Sequence, residues 1–140
     1  MKVLDVNVLV NAFRPDVDDH DRAFDVLAVC RASAEPSVIL TEVAVGFLRI
    51  VTHRGIFRDP NTSAEAMGAL AAWTSGPGVR VREAGPGRWT RFATLVSDRA
   101  LVGADVHDGL LAAAAIDLGA TLVTFDRGFS RFDGLALQLL

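Results

Sequence analysis

The sequence is short of several things, and each shortage removes a class of protein. It holds one cysteine, Cys30, so no intrachain disulfide and no thiolate zinc cluster can form. That usage fits a reducing compartment, and a cytoplasmic location is expected. No uninterrupted apolar run nears the roughly 18 residues that a membrane span needs. Asp5 and Asn7 also break the apolar opening too early for a signal peptide or a membrane anchor. Positive charge is not in excess: the formal net charge is −3 at pH 7. Any polyanion must therefore be gripped by a local patch or through a metal. The basic residues are almost all arginine, and there is no internal repeat or low-complexity tract.

What the chain does have is apolar material. Of 140 residues, 51% are hydrophobic and 22% charged, enough for the core of one domain spanning residues 1–140. Lys2–Val6 reads as a short buried strand, and Asn7–Phe13 as a helix ended by Arg14-Pro15. The acidic stretch DVDDHD (Asp16–Asp21) is a charged loop or helix start; it lacks the glycine and glutamate of a calcium loop. Ala23, Phe24, Leu27 and Ala28 share a helical face that runs to about Ala34. From Ser37 to about His53 the spacing predicts one long apolar helix. Thr62 or Ser63 is placed to cap a further helix through Trp73, and Ser75–Gly78 stops it.

Val79–Glu83 alternates like a strand, Arg88–Asp98 reads as a helix, and Asp105 is placed to cap the next one. That helix carries the small-residue run LLAAAAI and stops at Gly119, a C′ glycine. Ala120–Phe125 is a second buried strand and Leu135–Leu139 a short last one. Phe13, Phe24, Phe47, Trp73 and Trp89 fall on apolar helical faces and read as core or interface. Strands separated by helices predict an α/β fold: a three-layer α/β/α sandwich with a mostly parallel central sheet.

Two apolar runs end on an aspartate, MKVLD at Asp5 and ATLVTFD at Asp126. Ligands of open parallel sheets bind outside the carboxyl ends of the strands. If these two strands are neighbours, their carboxylates repel unless a cation neutralises them, and hard oxygen ligands suit Mg²⁺ or Mn²⁺. Each aspartate also has a plain role, Asp5 as a helix cap and Asp126 in the DRG turn. Glu42 interrupts the apolar PSVILTEVAVGFLRIVTH, so it must face solvent, pair with a cation such as Arg49, or ligate a metal. Asp108, in GADVHDGLL, is accounted for equally by the helix dipole, with Asp105 as N-cap and Asp108 at N3.

The segments LDVNVLVNAF, LTEVAVGFLRIVTH and HDGLLAAAAIDLGATLVTFDRGF, in that order and at that spacing, resemble the PIN-domain nucleases. The likeness covers nearly the whole chain and is strongest to the VapC-type toxins of toxin–antitoxin pairs. It implies an acidic quartet at Asp5, Glu42, Asp108 and Asp126, with Asn7 and Thr124 as supporting groups. Asp105 either joins the quartet or only caps its helix. It also implies homodimerisation, an antitoxin partner of the VapB type, and endonucleolytic cutting of RNA that leaves a 5′-phosphate.

On that basis Asp5, Asp108 and Asp126 are the expected ligands of Mg²⁺ (or Mn²⁺), with Glu42 as a base. Arg14, Arg49, Arg54, Arg127 and Arg131 flank these segments and are candidate phosphate contacts, although each has a solvated or acid-paired alternative. The competing function is a non-catalytic scaffold of the same fold that binds RNA or a partner without cutting.

Overall fold

The computed structural model describes residues 1–140. Five strands form one sheet: β1 (Lys2–Leu4), β2 (Ser37–Leu40), β3 (Val79–Arg82), β4 (Thr121–Thr124) and β5 (Ala136–Leu139). Every pairing is parallel and the order is β3-β2-β1-β4-β5. The chain thus lays down β1, β2 and β3 in one direction, then returns to add β4 and β5 on the other side of β1. The reversal falls between β1 and β4, where Leu4 lies beside Val123. That crevice is where an open sheet of this kind presents ligands.

Six helices complete the sandwich: α1 (Val6–Phe13), α2 (His20–Ala32), α3 (Thr41–Val51), α4 (Ser63–Thr74), α5 (Arg88–Arg99) and α6 (Ala104–Asp117). α1 packs on α2 and α3, α3 on α4, and α5 on α6. None is long and apolar enough to cross a membrane. The three central strands, β2, β1 and β4, are buried on both faces, so Val3, Leu4, Val38, Ile39, Leu40, Leu122 and Val123 read as near-continuous apolar runs rather than alternating ones. Between α1, α3 and α4, Phe13, Phe47 and Trp73 meet edge-on or tilted, with centroids 5.3–6.2 Å apart. Phe24 and Trp89 do not join that core: they are 55% and 71% exposed.

The predicted helix from Ser37 to His53 is two elements. Ser37–Leu40 is β2, paired with β1 on one side and β3 on the other, and the helix begins only at Thr41. A four-residue apolar run that leads straight into an apolar helix carries no period of its own. The consequence is functional, because Glu42 moves from mid-helix to the carboxyl end of a strand.

The start of α6 also differs from expectation. Its N-cap is Gly103 at φ 57, and Asp105 caps nothing. Thr62, by contrast, closes a capping box with Glu65. Gly119, at φ 59, ends α6 in the left-handed region that glycine enters freely.

Candidate active site

β1 ends at Leu4, and Asp5 follows as the N-cap of α1. Its Oδ1 accepts the Val6 backbone N–H at 2.6 Å. Its Oδ2 accepts the Thr124 hydroxyl at 2.6 Å and the Asn7 amide at 2.9 Å. Thr124, the last residue of β4, is fully buried, and its hydroxyl oxygen also accepts from Asn7 Nδ2 at 2.9 Å and from the Asp126 N–H at 3.0 Å. Asn7 Oδ1 in turn accepts the Phe125 N–H at 3.2 Å. One network therefore ties the end of β1 to the end of β4, and every donor in it is neutral. Asp126, exposed, accepts the Gly128 N–H at 2.7 Å through Oδ1, so the turn role expected of it holds as well.

Burial pushes the Asp5 carboxyl above the usual carboxylate range. Hydrogen bonds from Thr124 and Val6 pull it back in part, while the charges of Asp108 and Asp126 push it further up. Burial likewise raises Asp108; Arg131 opposes the rise, and Asp126 and Asp105 add to it. Asp5 thus feels the charges of Asp108 and Asp126, both remote from it in sequence.

The acids carried by helices are held differently. Glu42, in the first turn of α3, forms an ion pair with Arg88, not with Arg49. Arg88 opens α5, directly after the AGPG loop. A Cβ at Gly85 or Gly87 would collide with the Asp117 carboxylate, so the bare backbone lets that loop press on the end of α6. Arg131 spans two acids of α6: Nη1 donates to Asp105 Oδ1 at 3.0 Å and Nη2 to Asp108 Oδ2 at 2.8 Å. With the side chains so arranged, no three acids or histidines stand close enough to share one ion.

A cleft of about 90 Å³ opens beside Asp5 and Glu42, with His107 and Arg49 at its polar edge and Val43, Ile50 and Leu111 along its walls. Asp108 and Asp126 do not line it; they reach Asp5 through the charge coupling described above. Arg49 has no acid partner, and neither have the exposed Arg54 and Arg127. Arg14 is not a phosphate contact. It is buried under Phe57, with its guanidinium spent on Asp16, the Asp59 carbonyl and Asn61. Sequence reasoning missed Arg88 altogether, and it named Arg131 without its two partners.

A family model described as PIN domain matches residues 2–135, and the chain belongs to that family. Within it the chain is of the VapC type. Ribonuclease VapC43 of Mycobacterium tuberculosis (strain H37Rv) is 36% identical over 132 residues, which cover 94% of this chain and 90% of the relative. Ribonuclease VapC31 of the same strain is 32% identical over 132 residues, 94% and 93% of the two chains. VapBC2 from Rickettsia felis, bound to a promoter DNA fragment, superposes with a TM-score of 0.68 at 20% identity, covering 99% of this chain and 97% of that one. Mycobacterium tuberculosis VapC20, described as a Sarcin-Ricin loop cleaving toxin, gives 0.67 at 16% identity, with 93% of each chain covered.

Proposed function

We propose that the chain is an endoribonuclease toxin that hydrolyses RNA phosphodiester bonds with Mg²⁺ or Mn²⁺ and is held in check by a VapB-type antitoxin. The ribonuclease names of its relatives support the reaction class, and the VapBC complexes among its structural neighbours support the partner. The observation that carries the reading is the junction of β1 and β4, where Thr124 and Asn7 hold a buried Asp5 that feels the charges of Asp108 and Asp126.

The donor set fits a hard divalent ion. All three groups offer carboxylate oxygen; burial first, and like charge second, raises Asp5 and Asp108, and a bound cation offsets both. When bound, it supplies charge neutralisation at the phosphoryl group and acidifies the attacking water. Asp5, Asp108 and Asp126 would hold it. Thr124 and Asn7 fix the Asp5 carboxylate from behind, so that its orientation does not depend on the ligand.

Glu42, which lines the cleft together with Asp5, would accept the proton of the attacking water once it leaves Arg88. Arg49, unpaired and lining the same cleft, and the exposed Arg54 and Arg127 would meet RNA phosphates. Homodimerisation belongs to this reading as an expectation of the family.

Mapping new RNA 5′-ends after brief expression of the chain, beside Asp126→Asn, tests the proposal and names the target. Discrete 5′-phosphate ends seen only with the unaltered chain are expected. Identical end profiles from both chains would refute it.

A further inference from the structure

Arg131 closes the turn Arg127–Arg131 that begins directly after Asp126. It does not grip one carboxylate with both arms. It forks, one arm to Asp105 and the other to Asp108, at 3.0 and 2.8 Å. The guanidinium lies 5.0 Å from the Phe132 ring centroid, and its Nε–H is buried without an acceptor. Each arm is a charge-assisted hydrogen bond, but neither is part of a bidentate grip, and a buried donor left unsatisfied works against the arrangement. The side chain also keeps 34% of its surface open, so it has a way out. This is a cation parked where like charges meet, held well at one end and poorly at the other.

We propose that Arg131 is the internal counter-ion of the metal-free acid cluster, and that a divalent ion takes Asp108 only as the guanidinium releases it. The inference rests on the reading that Asp5, Asp108 and Asp126 bind a divalent cation. It goes further in making this chain's own arginine the competitor. Asp108 Oδ2 cannot serve both cations at full strength, so Arg131 sets a threshold: the site stays closed until the ion is plentiful enough to displace it. Asp105 acquires a role too, since it gives Arg131 a second anchor and keeps the guanidinium near after release.

Calorimetric titration of Mn²⁺ into the purified full-length chain tests this, with melting curves to verify folding. Four variants accompany the wild type: Arg131→Gln, Arg131→Lys, Arg127→Gln and Asp126→Asn. Arg131→Gln should bind Mn²⁺ about tenfold more tightly, the scale expected when the ion no longer has to break a partly exposed ion pair. Arg131→Lys should also tighten, because an ammonium keeps the charge and loses the fork. Arg127→Gln removes the same charge beside Asp126 where no ion pair exists, and should change affinity no more than about twofold in dilute buffer and less at high salt.

An Arg131→Gln variant no tighter than wild type overturns the inference, and so does Arg127→Gln tightening equally. An Arg131→Lys variant indistinguishable from wild type does the same, and that comparison decides alone if Arg131→Gln fails to fold. Where wild type binds, Asp126→Asn does not, and the Arg131 variants match wild type, only this inference falls. Where no chain binds, Arg131→Gln included, the metal reading falls with it.

Discussion

Asp5 is buried and takes its hydrogen bonds from Val6, Asn7 and Thr124, all neutral donors at the sheet edge. Glu42, Asp105 and Asp108 stand partly exposed on helices and lean on guanidinium groups instead. The two arrangements answer different needs. A neutral network orients a carboxylate without cancelling its charge, so the strand side stays primed for a cation. An arginine cancels the charge and must be exchanged before the acid can serve another partner. The strand half of the site is built in advance, and the helix half is built to change hands.

The comparison can be broken most forcefully at the strand side. Asp126→Asn should lower RNA cleavage by at least about a hundredfold, beyond what outer groups around a metal usually cost. Its fold should persist, because an amide oxygen still accepts the Gly128 N–H. Single-turnover cleavage beside a circular-dichroism melt reads both.

Thr124→Val should cost less activity, about 10- to 100-fold, as expected for a group that orients a ligand. It should also cost about 1–3 kcal/mol of stability in denaturant titration, since buried partners are left without their acceptor and donor. A melt unchanged by this substitution would mean that the network does not hold the strand ends together.

On the helix side, Arg88→Gln should change stability by less than about 1 kcal/mol, because the pair with Glu42 is partly solvated. A larger loss would put Arg88 among the structural arginines, with Arg14.

The weakest effect sharpens the contrast through pH. The carboxyls of Asp5 and Asp108 sit above their ordinary value of 3.8 in the folded chain. The folded state therefore holds their protons more tightly than the unfolded state. Their contribution to stability is present below the ordinary value and is lost as pH rises through the raised ones. Mg²⁺ should accordingly raise the melting temperature more at neutral pH than at mildly acidic pH. The lowered carboxyls of Asp16, Glu35 and Glu65 act in the opposite sense, but they are exposed and solvent screens them. A metal-induced shift that does not vary with pH would separate the ion from these acids.

Much of the architecture is legible in the sequence because its signals are local. A carboxylate that ends or interrupts an apolar run stands out in one window, and Asp5, Glu42 and Asp126 are all of this kind. Thr62 and Gly119 announce their helix ends in the same way. β2 is hidden because Ser37–Leu40 and α3 form one apolar stretch, and only pairing with β1 and β3 separates them. The arginines are hidden for a different reason. Glu42 and Arg88 are 46 residues apart, and Arg131 lies 23 and 26 residues from its two acids. No periodicity links such pairs, and nothing local distinguishes Arg14, buried and spent, from Arg127, exposed and unpaired.

The most direct test is cleavage of structured RNA by the purified chain in Mg²⁺, repeated with a chelator and with Asp126→Asn. The account predicts 5′-phosphate products from the wild type that vanish on chelation and return when Mg²⁺ is restored, with none from the variant. Equal cleavage by both chains, or cleavage that survives chelation, would contradict it.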